Sequence, residues 1–309
     1  MVKVAIFDFD GTFTLVEQEA QGFRDGYRND LSERAKIPLD ELTPIWDRLQ
    51  TAVRLNPRNY AWMFDGMPVS PAADPYLRCR PAAVESLRFF DKSVEDVDVR
   101  DLRAIKGNER KGVLELLFKK NHPNAGTVFR PHARPVFDAV GETLARYVVT
   151  NSYPDSVIDK LGHPDFGLTE TDYKVAKDAE ALLALPSDYA GPVLLGDAKK
   201  YLVDPFWEAD ERYLPHAQAS FGHLVHLRRS HYDAVLQAIM QREGVEPNDA
   251  VVGGDIFELD LLRAMRLGIH IVQITGPYTP EFELEAVRKY DKGHVVDTLP
   301  QMKDVMLGL

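Results

Sequence analysis

Two aspartates, Asp8 and Asp10, stand two residues apart where the apolar run Val4–Phe7 gives way to a loop containing Phe9, Gly11 and Thr12. Asp is depleted in strands and costly to leave unpaired in a core, so the pair needs an explanation. It reads either as two carboxylates capping a loop, or as a nucleophile and an acid/base partner around a cation. The pair alone does not decide between them. Further along, Thr150, Asn151 and Ser152 follow a second apolar run, and Gly253, Gly254 and Asp255 follow a third, with Glu258 and Asp260 close behind. Taken singly, Thr150 is a strand-terminal hydroxyl bonding its own backbone, and Glu258 and Asp260 are solvated helix charges.

The elements that must position these residues are legible from periodicity. Residues 4–7, 147–149 and 250–252 are continuous apolar stretches and 269–274 repeats the pattern around His270 and Gln273, each ending in small or polar residues. Buried parallel strands feeding loops look like this. Helical patterns lie between them. After Ser230, a candidate cap, Tyr232, Val235, Leu236, Ile239 and Met240 form one stripe closed by Gly244. Residues 258–267 give a second helix ending at Gly268, and 154–161 a third, stopped by Gly162. This alternation predicts an α/β fold, an open parallel sheet of Rossmann-like type whose ligands lie at the carboxyl ends of the strands.

Residues 14–128 break the rhythm. They hold helix-compatible stretches at 16–36, 39–55, 82–90 and 100–120, separated by turns and without a clear buried strand. They are expected to form a mostly α-helical domain inserted after the first strand, which leaves 1–13 and 129–309 as a discontinuous α/β core. Residues 163–228 are less regular. Residues 193–195 and 224–227 read as strands and 169–185 as a helix, while Gly196 and Asp197 could equally form a hairpin turn.

With 309 residues the chain suggests about two domains. Its 37 basic and 48 acidic residues give a net charge of −11, which disfavours a nucleic-acid partner, because such binding rests on clustered Lys and Arg. No stretch has the length of a membrane span or a signal segment, so no membrane partner is expected. The single cysteine, Cys79, fits a reducing, cytoplasmic setting. Nothing in the sequence addresses oligomeric state.

In order, Asp-Phe-Asp-Gly-Thr at 8–12, Val-Val-Thr-Asn at 148–151 and Gly-Gly-Asp-Ile-Phe-Glu-Leu-Asp at 253–260 resemble motifs one, two and four of the haloacid dehalogenase (HAD) superfamily. The resemblance covers the sheet domain, and the insertion matches the family's cap in position only. It implies a nucleophilic Asp8 that forms an aspartyl-phosphate, and an Asp10 that protonates the leaving oxygen and later deprotonates water. Gly11 would let the loop turn tightly beside the phosphate, Thr12 would buttress it, and Asn151 would help to bind the substrate. Thr150 would donate to a phosphoryl oxygen.

The resemblance further implies Mg²⁺ held by Asp8, the Asp10 carbonyl and Asp255, with Asp260 as a second acidic position that could instead orient a water or the basic residue. Motif three departs from the family. A Lys is usual just before the helix that precedes motif four, yet the sequence there reads Arg228-Arg229-Ser230-His231. Arg229 is the expected basic residue, with Arg228 close behind and Lys199 or Lys200 as the fallback. Asp10 disfavours a dehalogenase, since a halide leaves without a proton. The expected activity is Mg²⁺-dependent hydrolysis of a small phosphorylated metabolite. A phosphomutase, or a binding or regulatory protein of the same fold without turnover, are the alternatives.

Overall fold

The computed structural model describes residues 1–186, 188–208, 217–220 and 223–309. These contain strands β1 (Val4–Phe7), β2 (Ala61–Phe64), β3 (Met67–Pro71), β4 (Ala145–Val149), β5 (Lys174–Val175), β6 (Val193–Leu195), β7 (Ala217–Ser220), β8 (His223–His226), β9 (Ala250–Gly254), β10 (His270–Ile274) and β11 (Gly293–Val296). Seven of them build one parallel sheet in the order β11-β10-β9-β1-β4-β6-β5.

All four residues of β1 are buried, because the sheet is covered on both faces. Val4 and Ile6 point into one apolar cluster, with Leu236 and Ile239 of helix Ser230–Glu243 and Leu262 of helix Leu262–Leu267. Ala5 and Phe7 point into the other, with Phe137 of helix Ala133–Gly141, Leu161 of helix Pro154–Leu161 and Met302 of helix Leu299–Gly308. The two-residue alternation of a strand thus feeds two cores. The fold is an open, Rossmann-like parallel α/β sheet flanked by helices.

Register does the positioning. Phe7 pairs with Val148 on one side and Gly253 on the other. The residues that follow β1, β4 and β9 therefore emerge at the same rim of the sheet.

Two compact units are distinguished, one of residues 1–15, 63–70 and 129–309 and one of 16–62 and 71–128. The insertion was expected to run unbroken from 14 to 128. Residues 63–70 cluster instead with the sheet, because the Val69 carbonyl accepts from Arg229 Nη2 at 2.8 Å and the Phe64 ring lies 5.1 Å from that of Tyr201. The second unit has its own core, in which Phe23, Tyr27, Trp46, Leu87 and Leu117 come from helices Gln21–Ala35, Leu39–Leu55, Cys79–Phe89 and Val113–Asn121.

Several expected elements differ. The helix expected over 100–120 is two pieces, Arg100–Arg103 and Val113–Asn121, with Gly107 at φ +83° between them. The helix expected over 169–185 shrinks to Ala179–Leu183. Asp178 caps it by accepting from Ala181 N–H at 2.8 Å, and Lys174 and Val175 have already paired with β6. Gly196 and Asp197 do not close a hairpin, since β6 runs parallel to both neighbours. The strand expected at 224–227 falls on β8, which pairs antiparallel with β7 and not with the main sheet. Ser230 is the first residue of its helix rather than the cap, and no side-chain bond closes that end.

Candidate active site

Asp8 extends the ladder by one bond beyond β1, its N–H donating to Gly253 O at 2.9 Å, so its side chain leaves the sheet at a fixed point. The loop behind it rests on packed rings, with Phe7 5.2 Å and Phe9 5.8 Å from Phe13, and Phe9 5.8 Å from Phe166. Gly11 adopts φ +86°, and a Cβ there would lie 2.0 Å from Asp255 Oδ2. Only glycine satisfies both the left-handed turn and that approach. Gly11 N–H donates to Thr14 Oγ1 at 3.1 Å, and its carbonyl accepts from Arg130 Nε at 3.0 Å. Thr14 therefore does the bracing expected of Thr12, whose buried hydroxyl has no partner among the described residues.

Asp8, Asp255 and Asp260 are all buried, and one carboxylate oxygen from each lies within 4.8 Å of the others. Lys200, only 1% exposed, sits against this group, its Nζ donating to Asp8 Oδ1 at 2.6 Å and to Asp260 Oδ1 at 2.7 Å. Burial, and next the negative charge of Asp260, push the Asp8 carboxyl up to about 8, against the pull of Lys200. Burial works against the Lys200 ammonium as well, but the charges of Asp260 and Asp8 outweigh it and hold the group protonated.

Three carboxylates face one ammonium, and a divalent cation among them would draw the Asp8 carboxyl back toward its ionised form. Their hard oxygen donors suit Mg²⁺. Asp260 is the least available of the three. Its Oδ1 is taken by Lys200 and its Oδ2 accepts from Ile256 N–H at 3.1 Å, within the widened helical turn Phe257–Leu261. Asp260 thus orients the basic residue, while Asp255, whose Oδ2 accepts from Tyr278 Oη at 2.7 Å, faces Gly11.

Arg229, expected first as the basic residue, does not face this group. It is 2% exposed, and its guanidinium donates to the carbonyls of His226, Lys200, Glu258 and Val69. Burial lowers it to about 10. Arg228 offers its carbonyl to Asp204 N–H at 2.8 Å, and Lys199 lies 3.8 Å from Asp197. The cation at the carboxylates is Lys200, which had been the fallback.

Thr150 N–H donates to Leu195 O at 3.0 Å, and its hydroxyl accepts from Ser152 N–H at 3.2 Å. Asn151 Oδ1 accepts from Lys200 N–H at 2.8 Å, which makes Asn151 a support for Lys200. Two partners of Asp10 escaped the sequence reading. Ser152 Oγ donates to Oδ2, and Lys160 Nζ lies 2.5 Å from Oδ1. Lys160 lies in the last turn of helix Pro154–Leu161, and no local pattern announces that it would reach a residue 150 positions earlier. Glu258 is buried away from the carboxylate group, bonded by Ser220 Oγ.

No family model matches the chain, and no curated protein does. Among solved structures it is similar to a HAD phosphatase from Thermococcus onnurineus, with 16% identity over 99% of this chain and 98% of the other and a TM-score of 0.44. It is likewise similar to the L-2-haloacid dehalogenase from Xanthobacter autotrophicus, with 14% identity over 100% of both chains and a TM-score of 0.45.

Proposed function

We propose that the chain is a Mg²⁺-dependent phosphomonoester hydrolase of HAD type, acting on a small phosphorylated metabolite through an aspartyl-phosphate at Asp8. The observation that carries this is the buried ammonium of Lys200 bridging Asp8 and Asp260, with Asp255 in the same group and Asp10 two residues from the nucleophile. Binding proteins have no use for a nucleophile, a second acid and a cation assembled at such cost in desolvation.

Asp8 attacks phosphorus, the P–O bond to the leaving group breaks, and the departing oxygen takes the proton of Asp10. Lys200 and the Thr150 hydroxyl donate to the transferring phosphoryl oxygens, where charge is spread in the transition state. Asp10 then removes a proton from water, whose oxygen attacks the acyl phosphate and restores Asp8 with release of inorganic phosphate. Asp8, Asp255 and the Asp10 carbonyl would hold Mg²⁺, which supplies neutralisation of the phosphate against these carboxylates. The expected setting is the cytoplasm. Cys79 is buried, and no helix among the described residues is long and apolar enough to cross a membrane.

Phosphate release from an aryl phosphate and a panel of phosphorylated metabolites, with and without chelator, tests the proposal. Turnover is expected only with Mg²⁺. Asp8→Asn should lower it by at least about 10⁴-fold while the near-UV circular dichroism is retained. Turnover that survives either change removes Asp8 as nucleophile or the cation as participant.

A further inference from the structure

Arg130 stands where the chain returns to the sheet unit, and it is fixed there by both backbone and side chain. Phe129 bridges Thr14, and Arg130 N–H donates to Phe13 O at 2.8 Å. Its Nε donates to Gly11 O at 3.0 Å, which ties the guanidinium to the loop that follows Asp8. Through that bond and the close approach of Gly11 to Asp255, Nε lies no more than about 9 Å from Asp255 Oδ2. The rest of the fork is open. Among the described residues, Nη1 and Nη2 have no hydrogen-bond or ion-pair partner, and the side chain is only half-buried. Beside Nη2 the backbone turns at Gly276, where a Cβ would lie 3.7 Å from Nη2 and 3.4 Å from the Tyr278 ring, ordinary contact distances. The turn therefore leaves a small gap between the cation and the ring whose hydroxyl bonds Asp255.

Given the phosphatase reading above, on which this rests, we propose that Arg130 binds a second anionic group of the substrate, a carboxylate or phosphate carried besides the ester that is cleaved. Bracing the Gly11 carbonyl takes one N–H, which a neutral side chain could supply. A guanidinium brings four further N–H groups and a full charge. With Nε turned to the loop, the edge formed by Nη1 and Nη2 is the one that meets two oxygens of an anion side by side. No carboxylate among the described residues pairs with that edge, so an incoming anion displaces water there, not a protein partner. Lys200 and Arg130 also lie apart. Lys200 follows β6 and Gly276 follows β10, on opposite sides of β1 in the sheet order, so the two cations flank the Asp8 loop. A ligand that meets both carries two anionic groups joined by a short carbon chain, a small phosphorylated acid or a bisphosphate.

The test is competitive inhibition of aryl phosphate hydrolysis, at saturating Mg²⁺, by three phosphonates that cannot be hydrolysed. Butylphosphonate ends in a methyl, 4-phosphonobutyrate carries a carboxylate in its place, and propane-1,3-diphosphonate a second phosphonate. In the unaltered protein the inhibition constant of at least one two-anion compound is expected to be roughly 10- to 100-fold below that of butylphosphonate, the worth of a charge-assisted bond. The tighter of the two names the source as carboxylate or phosphate. Arg130→Gln, which removes the charge and keeps a side-chain N–H, should bring that ratio close to one, and Arg130→Lys should keep part of it. Because the ratio is taken within one preparation, a variant with a smaller folded fraction does not alter it. Equal inhibition by all three compounds in the unaltered protein overturns the proposal. So does an Arg130→Gln that weakens all three by the same factor, which would leave Arg130 a brace for Gly11. If aryl phosphate itself is not hydrolysed, the phosphatase reading fails and takes this one with it, an outcome distinct from turnover without a preference among inhibitors.

Discussion

Lys200 and Arg229 are both enclosed cations of the same unit, joined by the bond from Arg229 Nη1 to Lys200 O at 3.1 Å, yet they are spent differently. The Lys200 ammonium meets two side-chain carboxylates, while the Arg229 fork is filled by four backbone carbonyls. A compact ammonium on a flexible stem can turn one N–H from Asp8 toward a ligand oxygen without disturbing the chain. A planar fork that closes four carbonyls cannot be withdrawn without leaving buried acceptors unmet. The contrast separates a cation available to a ligand from a cation that holds loops together, one of which is the 63–70 segment through Val69.

The largest effect that would sharpen this contrast is Lys200→Met, expected to cut kcat/KM for phosphate esters by about 10³-fold. Activity within tenfold of the unaltered protein would dissolve it. Arg229→Met should do the reverse, lowering unfolding free energy by about 3 kcal/mol in urea titrations while the folded fraction keeps most of its turnover. Lost turnover at unchanged stability would exchange the two roles. Asp260→Asn removes one of the two carboxylates on Lys200 and keeps an acceptor. A loss of about 10- to 100-fold is expected, typical of a residue that orients another, read from kcat at saturating Mg²⁺.

The smallest effect concerns Glu283, which has no salt bridge among the described residues. Burial, and next the Glu258 charge, raise Glu283 well above the usual carboxylate range. A group raised in the folded state contributes stability that is complete below its unfolded value and is lost as pH rises through its folded one. Glu283→Gln should therefore flatten the fall in melting temperature as pH rises above the ordinary carboxyl value of 4.5, and an unchanged slope would refute it. Its Oε2 accepts from Phe257 N–H at 3.2 Å and Gln273 Nε2 at 2.8 Å, roles an amide oxygen can keep.

Much of the sheet was legible, because the buried parts of β1, β4 and β9 read as short apolar runs and β10 as a mostly apolar one. The gathering of Asp8, Asp255 and Asp260 was legible only through the resemblance of three ordered segments, since the Asp8–Asp10 pair alone left loop capping open and Asp260 alone read as a solvated helix charge. Helix Leu39–Leu55 also stood out, with its boundaries as expected. The choice between Arg229 and Lys200 was not legible. It depends on which side chain the loops of 196–200 and 226–229 turn inward toward carboxylates, a tertiary matter that two adjacent basic residues do not encode. Lys160 was hidden similarly, its partner being set by where a helix ends over the loop. The helix expected over 169–185 failed because Lys174 and Val175 had a strand edge to join, which outweighs local propensity. Thr12 and Thr14 differ only in which way a tight turn throws a hydroxyl.

The central place of β1 has a cost during synthesis. Val4–Phe7 emerges from the ribosome well before either flanking strand, and the second of them, Ala250–Gly254, is made only after roughly 240 further residues, on the order of ten seconds or more of translation. For that interval the nascent chain carries an uncovered, aggregation-prone edge, and Asp8 lacks Asp255 and Asp260 beside it. The carboxylate cluster and the closed strand edge arrive together, late, when the last third of the polypeptide joins the first ten residues.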